Sequence, residues 1–281
     1  MRETREVTTD MSKIITASVQ TDPGCVREAN EDSGRHISPS DPEILLRKGT
    51  LTIVADGMGG HASGEVASNM AVELISEFYY AENGLSAPEA LQNAIETANA
   101  RIYEVSVSEE RYFGMGTTLV AMVLLDDAAF CAHVGDSRLY RMRGGTLKAL
   151  TIDHSQVMEM VKHGIITIEQ ARNHDDKNVI LRAVGTQGAV EVELSEPFAV
   201  DPGDTFLLCS DGLSDMVEDA EIEAIIRDGP DVYSACEKLI EAARENGGHD
   251  NITAGIVSIS AQDNRKAERD VRITREIVAM V

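Results

Sequence analysis

Hydrophobic positions change period along the chain, and each change marks an element. Over residues 14–20, Ile15, Ala17 and Val19 alternate with polar neighbours, as in a half-buried strand. Residues 51–55 are apolar or β-branched throughout and stop at Asp56-Gly57-Met58-Gly59-Gly60-His61, which predicts a buried strand ending in a bend. Between these strands, residues 36–49 carry two prolines and read as a loop with a short hairpin arm. From Ala67 through Met70, Ala71, Leu74, Ile75 and Phe78 the spacing is helical, predicting a helix over 64–80. Ser86-Ala87-Pro88-Glu89 has the form of a capping box, and Leu91, Ile95, Ala98, Ile102 and Val105 carry the stripe of a second helix.

From Gly116 the pattern shortens into strands over 118–125, 128–134, 139–143 and 146–150. Asp126-Asp127 and Gly144-Gly145 join successive strands as hairpin turns, so the sheet is antiparallel. Residues 153–178 are polar and helical, with Gly164 as a stop and Thr167-Ile168-Glu169-Gln170 as another capping box, and form a surface excursion. Strands follow over 190–200 and 204–209, helices over 219–227 and 231–245, and a last strand over 252–259. Helical pairs alternating with sheet segments predict helical layers laid on sheets. The first 13 residues form a polar lead. Residues 261–281 are a charged tail with apolar residues at Val271, Ile273, Ile277 and Val278, either helical or ordered on meeting a partner.

Composition narrows the function classes. The 281 residues suit one large domain, and 48 acidic against 25 basic residues give a formal charge of −23. Such a surface repels nucleic acid and anionic lipid. Cys25, Cys131, Cys209 and Cys236 lack any C-x-x-C spacing and read as reduced residues rather than a disulfide frame or zinc site. No stretch has the length of a membrane span and the N-terminus has no apolar leader core, so a cytoplasmic protein, a monomer, is expected.

One aspartate beside glycine is ordinary turn chemistry. Here Asp56, Asp136, Asp211 and Asp250 all stand at glycine-bearing bends next to apolar strands. An antiparallel sheet can bring such bends to one edge, where crowded carboxylates require cations between them. Oxygen donors without cysteine or paired histidine favour Mg²⁺ or Mn²⁺ over Zn²⁺. Arg27-Glu28-Ala29-Asn30-Glu31-Asp32, taken alone, is equally a solvated charge run.

Arg27–Asp32, Asp56–His61, Gly114-Met115-Gly116-Thr117-Thr118, Gly135-Asp136-Ser137-Arg138, Ser210-Asp211-Gly212-Leu213 and Gly248-His249-Asp250-Asn251 occur in an order and approximate spacing that resembles the metal-dependent protein phosphatases of the 2C (PPM) family, over about residues 14–260. The Met-Gly-Gly-His form of the second motif is similar to the bacterial branch. The resemblance implies an α+β fold, a four-layer αββα sandwich of two antiparallel sheets flanked by helix pairs, with a metal site at one edge. It implies hydrolysis of phosphoserine and phosphothreonine by direct attack of a metal-bridging water, in opposition to a serine/threonine kinase. By position, Asp56 would bridge two cations, with the Gly57 carbonyl on one of them and Asp211 and Asp250 on the other. Asp136 with Asp211 would hold a third, and Glu31 and Asp32 would hold metal-bound waters. Arg27 would grip the phosphate, and residues 153–181 match the flap of bacterial members. Met58 stands where eukaryotic members have a histidine, leaving His61 as proton donor, substrate contact or loop support. A noncatalytic sensor of the same fold and a metallohydrolase of small phosphoesters are the competing expectations.

Overall fold

The computed structural model describes residues 13–59 and 63–261. The predicted lead, the tail from residue 262 and His61 lie outside these residues. The first half of the chain runs β1 (Lys13–Asp22), β2 (Asp32–Ile37), α1 (Pro42–Lys48), β3 (Thr50–Met58), α2 (Ser63–Ala81) and α3 (Ala87–Ser108). Next come β4 (Gly116–Thr117), β5 (Leu119–Leu125), β6 (Ala128–Val134), β7 (Arg138–Arg143) and β8 (Thr146–Ala149). After α4 (Gln156–Lys162) and α5 (Ile168–Arg172) lie β9 (Glu193–Leu194), β10 (Phe198–Ala199) and β11 (Thr205–Cys209). The chain closes with α6 (Asp211–Ser214), α7 (Asp219–Asp228), α8 (Val232–Glu245) and β12 (Ile252–Ala261).

Two antiparallel sheets result. One has the order β1-β12-β11-β7-β8, the other β10-β6-β5-β3-β2, with β4 added to β3 and β9 to β6. Their facing sides are apolar: Val54, Val120 and Met122 from one sheet meet Leu139, Phe206, Leu208 and Val257 from the other. On its outer side the second sheet is covered by α2 and α3 through Ala71, Ile75, Leu91, Ile95 and Ile102. The first sheet is covered by α7 and α8 through Ile222, Cys236, Leu239 and Ile240. The central strands β3, β5, β6, β11 and β12 alternate between an inter-sheet and a helix-facing side, so both layers of core follow from strands buried on both faces. This is the four-layer αββα sandwich that the motifs imply.

Both hairpin turns form as predicted. Leu125 pairs with Ala128, Arg143 pairs with Thr146, and Gly144 and Gly145 take φ of 60° and 82° between the latter pair. The capping boxes hold too: the Glu89 carboxylate accepts from the Ser86 N–H at 3.1 Å, and Gln170 and Thr167 cap α5 reciprocally. Cys131, Cys209 and Cys236 are buried thiols, and Cys25 is an exposed one.

Two local expectations differ. Residues 36–49 are not a loop with a hairpin arm: β2 continues to Ile37, and α1 starts at Pro42 behind the N-cap Asp41, whose carboxylate accepts from the Glu43 N–H at 2.9 Å. Proline at a first helical position starts a helix because its missing N–H would have no partner there. The strand predicted over 190–200 is two fragments of two residues each, since Pro197 has no N–H to give to the ladder.

Candidate metal centre

The predicted carboxylates converge because of strand register. Asp32 at the start of β2 lies directly across from Asp56 on β3, and antiparallel partners project to the same face of a sheet. Thr117 and Thr118 fix the end of β3: the Thr118 N–H donates to the Asp56 carbonyl at 2.8 Å, the Thr117 hydroxyl donates to it at 2.9 Å, and the Asp56 N–H donates to Thr118 Oγ1 at 3.2 Å. From the other sheet, β11 ends at Cys209 and the chain turns at Ser210 into α6, which presents Asp211 as its first residue. The Asp56 and Asp211 carboxylates touch within hydrogen-bonding reach. Two carboxylates at that distance share a proton unless a cation replaces it.

Asp32 is buried and held on one oxygen only. Its Oδ2 accepts from the Ser210 hydroxyl at 2.7 Å and from the Thr253 hydroxyl at 2.6 Å, whereas Oδ1 is enclosed without a partner. Asp211 Oδ1 is likewise enclosed and unpartnered. Asp136, also buried, follows Gly135 at the end of β6. Removal from water pushes all four carboxyls up, and mutual repulsion adds to it: Asp32 to about 7, Asp211 to about 6, and Asp56 and Asp136 well above the ordinary range.

The remaining predicted residues sit at the rim. Arg27 Nη2 donates to Asp250 Oδ2 at 2.7 Å, so the phosphate-gripping candidate is paired with a ligand candidate. The half-exposed Glu31 carboxyl is pushed up, first by burial, against the Arg27 charge and the Gly64 N–H, which lower it. The backbone at Gly57 leaves no room for a side chain: a Cβ there would lie 2.1 Å from the Gly64 carbonyl and 2.5 Å from the Glu31 carbonyl. This close approach welds β3, the start of α2 and the Glu31 loop into one unit.

Several residues at the centre have no role in the sequence reading. Asn251 clamps the Arg27 loop: its Oδ1 accepts from the Glu31 N–H at 2.8 Å, and its Nδ2 donates to the carbonyls of Ala29 at 2.8 Å and Pro23 at 3.1 Å. Ser210 and Thr253 orient Asp32, and Thr118 ties Asp56 to Ser137 through a 2.7 Å hydroxyl contact. Asn251, Ser210, Thr118 and Ser137 stand inside the motifs, which marked their positions but not these roles, and Thr253 stands in none.

The excursion over 153–178 closes over this edge. Arg138 holds Asp153 with two nitrogens at 2.6 and 2.9 Å, Lys177 pairs with Asp215 at 2.6 Å, and Arg172 pairs with Glu218 and, at 3.5 Å, with Asp219. A cavity of about 260 Å³ lies between it and the carboxylates, bounded by Asp136 and Asp211 on one side and by Val157, Met158 and Ala171 on the other.

The fit to divalent cations rests on donor chemistry: enclosed, unpartnered oxygens on Asp32 and Asp211, a direct Asp56–Asp211 contact, and oxygen donors alone, as hard ions require. A tighter grouping of possible ligand atoms, within 4.8 Å of one another, occurs among the described residues at His133, His154 and Glu193. It suits a cation poorly. The two rings stack 4.5 Å apart and 10° from parallel, so their in-plane lone pairs cannot converge on one ion, and Arg182 Nη1 lies 3.2 Å from His154 Nε2.

The chain is similar to known proteins over most of its length. Residues 44–254 match the family model described as protein phosphatase 2C. The chain is 42% identical over 246 residues to the serine/threonine phosphatase stp of Listeria innocua, covering 86% of this chain and 94% of the relative. The fold is similar to the crystal structure of the Mycobacterium tuberculosis serine/threonine phosphatase PstP/Ppp, with a TM-score of 0.78, 35% identity, and coverage of 88% of this chain and 99% of that one. It is also similar to the catalytic domain of a serine threonine protein phosphatase PstP in complex with two manganese ions, with a TM-score of 0.75, 33% identity, and coverage of 89% and 100%.

Proposed function

The chain belongs to the protein phosphatase 2C family, and from that premise we propose how its residues perform the reaction of a metal-dependent serine/threonine phosphatase. Asp56, the Gly57 carbonyl, Asp211 and Asp250 hold two Mg²⁺ or Mn²⁺ ions. Asp136 and Asp211 would hold a third, and Glu31 and Asp32 would accept hydrogen bonds from water at the centre. The observation that carries this assignment is the pair of enclosed, unpartnered oxygens on Asp32 and Asp211 beside the Asp56–Asp211 contact.

When bound, the cations supply a water that deprotonates near neutral pH and neutralise charge on the transferring phosphoryl group. The chain's own part is placement. Ser210 and Thr253 fix one oxygen of Asp32 and leave the other free to accept from a water. The Ser210 hydroxyl also accepts the Thr253 N–H at 3.0 Å, so both its proton and a lone pair are committed to orienting Asp32 and β12. Arg27, half-exposed, turns its planar guanidinium from Asp250 to the substrate phosphate, whose oxygens suit that fork. His61 donates a proton to the leaving serine or threonine oxygen.

The catalytic domain spans residues 14–260, with the flap over 153–181 and the tail outside it. Its substrates are cytoplasmic phosphoproteins modified by an opposing serine/threonine kinase, and it acts as a monomer. A phosphothreonine peptide and an aryl phosphate, each assayed after exhaustive chelation and after Mn²⁺ is restored, test the assignment. Both should be hydrolysed only with the cation. Turnover that survives chelation, or an Asp211→Asn protein as active as the wild type, would overturn it, and an inert wild-type protein would mark a noncatalytic binding module.

A further inference from the structure

His154 stands at the root of the flap, and its ring and backbone enclose one residue. Its N–H donates to the Gly135 carbonyl at 2.9 Å, and its Nδ1 accepts the Gly135 N–H at 3.1 Å. Gly135 immediately precedes Asp136. It adopts φ +103° and packs against Thr118, the residue that ties down Asp56; a Cβ at Gly135 would lie 2.7 Å from Thr118 Cβ. The peptide carrying Asp136 is therefore fixed from one side by Thr118 and from the other by His154.

The protonation of the ring follows from its partners. A backbone N–H on Nδ1 requires a bare lone pair there, so the proton of the neutral ring lies on Nε2 and points to Glu193 Oε2 at 3.1 Å; Arg182 Nη1, 3.2 Å from the same nitrogen and a donor only, then neighbours Nε2 without a hydrogen bond to it. His133 stacks on the opposite face, and its own Nε2 donates to the Ile152 carbonyl at 2.9 Å, two residues before His154. The His154 carbonyl accepts from the Leu181 N–H at 2.7 Å, joining the two ends of the flap. One buried imidazole thus links the Asp136 turn, the flap root and the Glu193 strand.

We propose that His154 is a positioning residue for Asp136: as the neutral Nε2–H tautomer it holds Gly135 through Nδ1, and so sets the Asp136 carboxylate for its cation. This rests on the reading of Asp136 as a metal ligand. A partner that orients a ligand typically changes metal affinity by about 10–100-fold when it is removed.

The substitution His154→Phe keeps the stack on His133 and deletes the acceptor, whereas His154→Asn places an amide oxygen near the position of Nδ1. Mn²⁺ binding is followed by calorimetry, and the ring tautomer of the wild-type protein by ¹⁵N NMR. Asp136→Ala serves as the reference for the weakest bound cation. The expected result is a wild-type Nδ1 signal of a bare nitrogen, loss of one cation in Asp136→Ala, weakening of that cation by about 10–100-fold in His154→Phe, and recovery in His154→Asn. A protonated Nδ1 in the folded wild type overturns the proposal even if the variants fail to fold. Unchanged Mn²⁺ binding in folded His154→Phe, with the cation lost in Asp136→Ala, overturns the proposal alone. Full Mn²⁺ binding in Asp136→Ala removes the reading of the site on which it rests.

Discussion

Asp56 and Asp211 bring two buried carboxyls into contact, and an amide at either position separates what the centre does from what it costs the fold. Asp211→Asn should lower kcat by about 10²–10³-fold, the scale of losing one group aimed at developing charge, and raise the Tm of the chelated protein, as calorimetry reads. The pH dependence has a definite sign. Asp32 and Asp211 have folded-state values raised to about 7 and about 6 from an ordinary 3.8, so the metal-free folded chain retains protons that the unfolded chain gives up. Their contribution to its stability therefore falls as pH climbs from about 4 to about 7, and Asp211→Asn should flatten that fall. His61→Ala should slow phosphothreonine and other poor leaving groups more than aryl phosphates; equal slowing would remove it as proton donor. The strand-end aspartates were legible because each stood at a glycine-bearing bend. The roles of Ser210, Thr253 and Thr118 were not, because these residues act through hydrogen bonds between positions far apart in sequence, for which no spacing rule exists.

At the scale of elements, helices and strands with clear periodicity were legible nearly to their ends, as with α2, α3, α8 and β12. Misreadings fell where one residue changes meaning with position: Pro42 opens α1 although proline usually marks a break, and Pro197 splits a run that otherwise alternates. Which strands lie side by side was hidden, since β1 pairs with β12 at the opposite end of the sequence. That pairing brings the Arg27 loop to Asp250 and Asn251. The Gly57 junction offers the sharpest test of an element contact. Gly57→Ala forces a Cβ into the Gly64 and Glu31 carbonyls, and should lower both Tm and Mn²⁺ affinity, whereas a chain that only turns at this point would tolerate alanine.

The molecule as a whole carries a formal charge of −23 while acting on phosphate esters, which are anions themselves. Distant repulsion should slow encounter with acidic substrates, so kcat/KM for phosphopeptides flanked by glutamate should rise with added salt, and for those flanked by lysine it should fall. Equal salt dependence of the two would show that the charge is spread too evenly to steer. The contact between Asp56 and Asp211 has a consequence at this scale as well. A metal-free centre that keeps its carboxylates together by sharing protons must discharge them as cations enter, so loading the enzyme acidifies its surroundings. In weak buffer at pH 6, Mn²⁺ added to the chelated protein should release measurable acid, with less released at pH 8, and the cell's cation supply and its acidity then act on this phosphatase as a single variable.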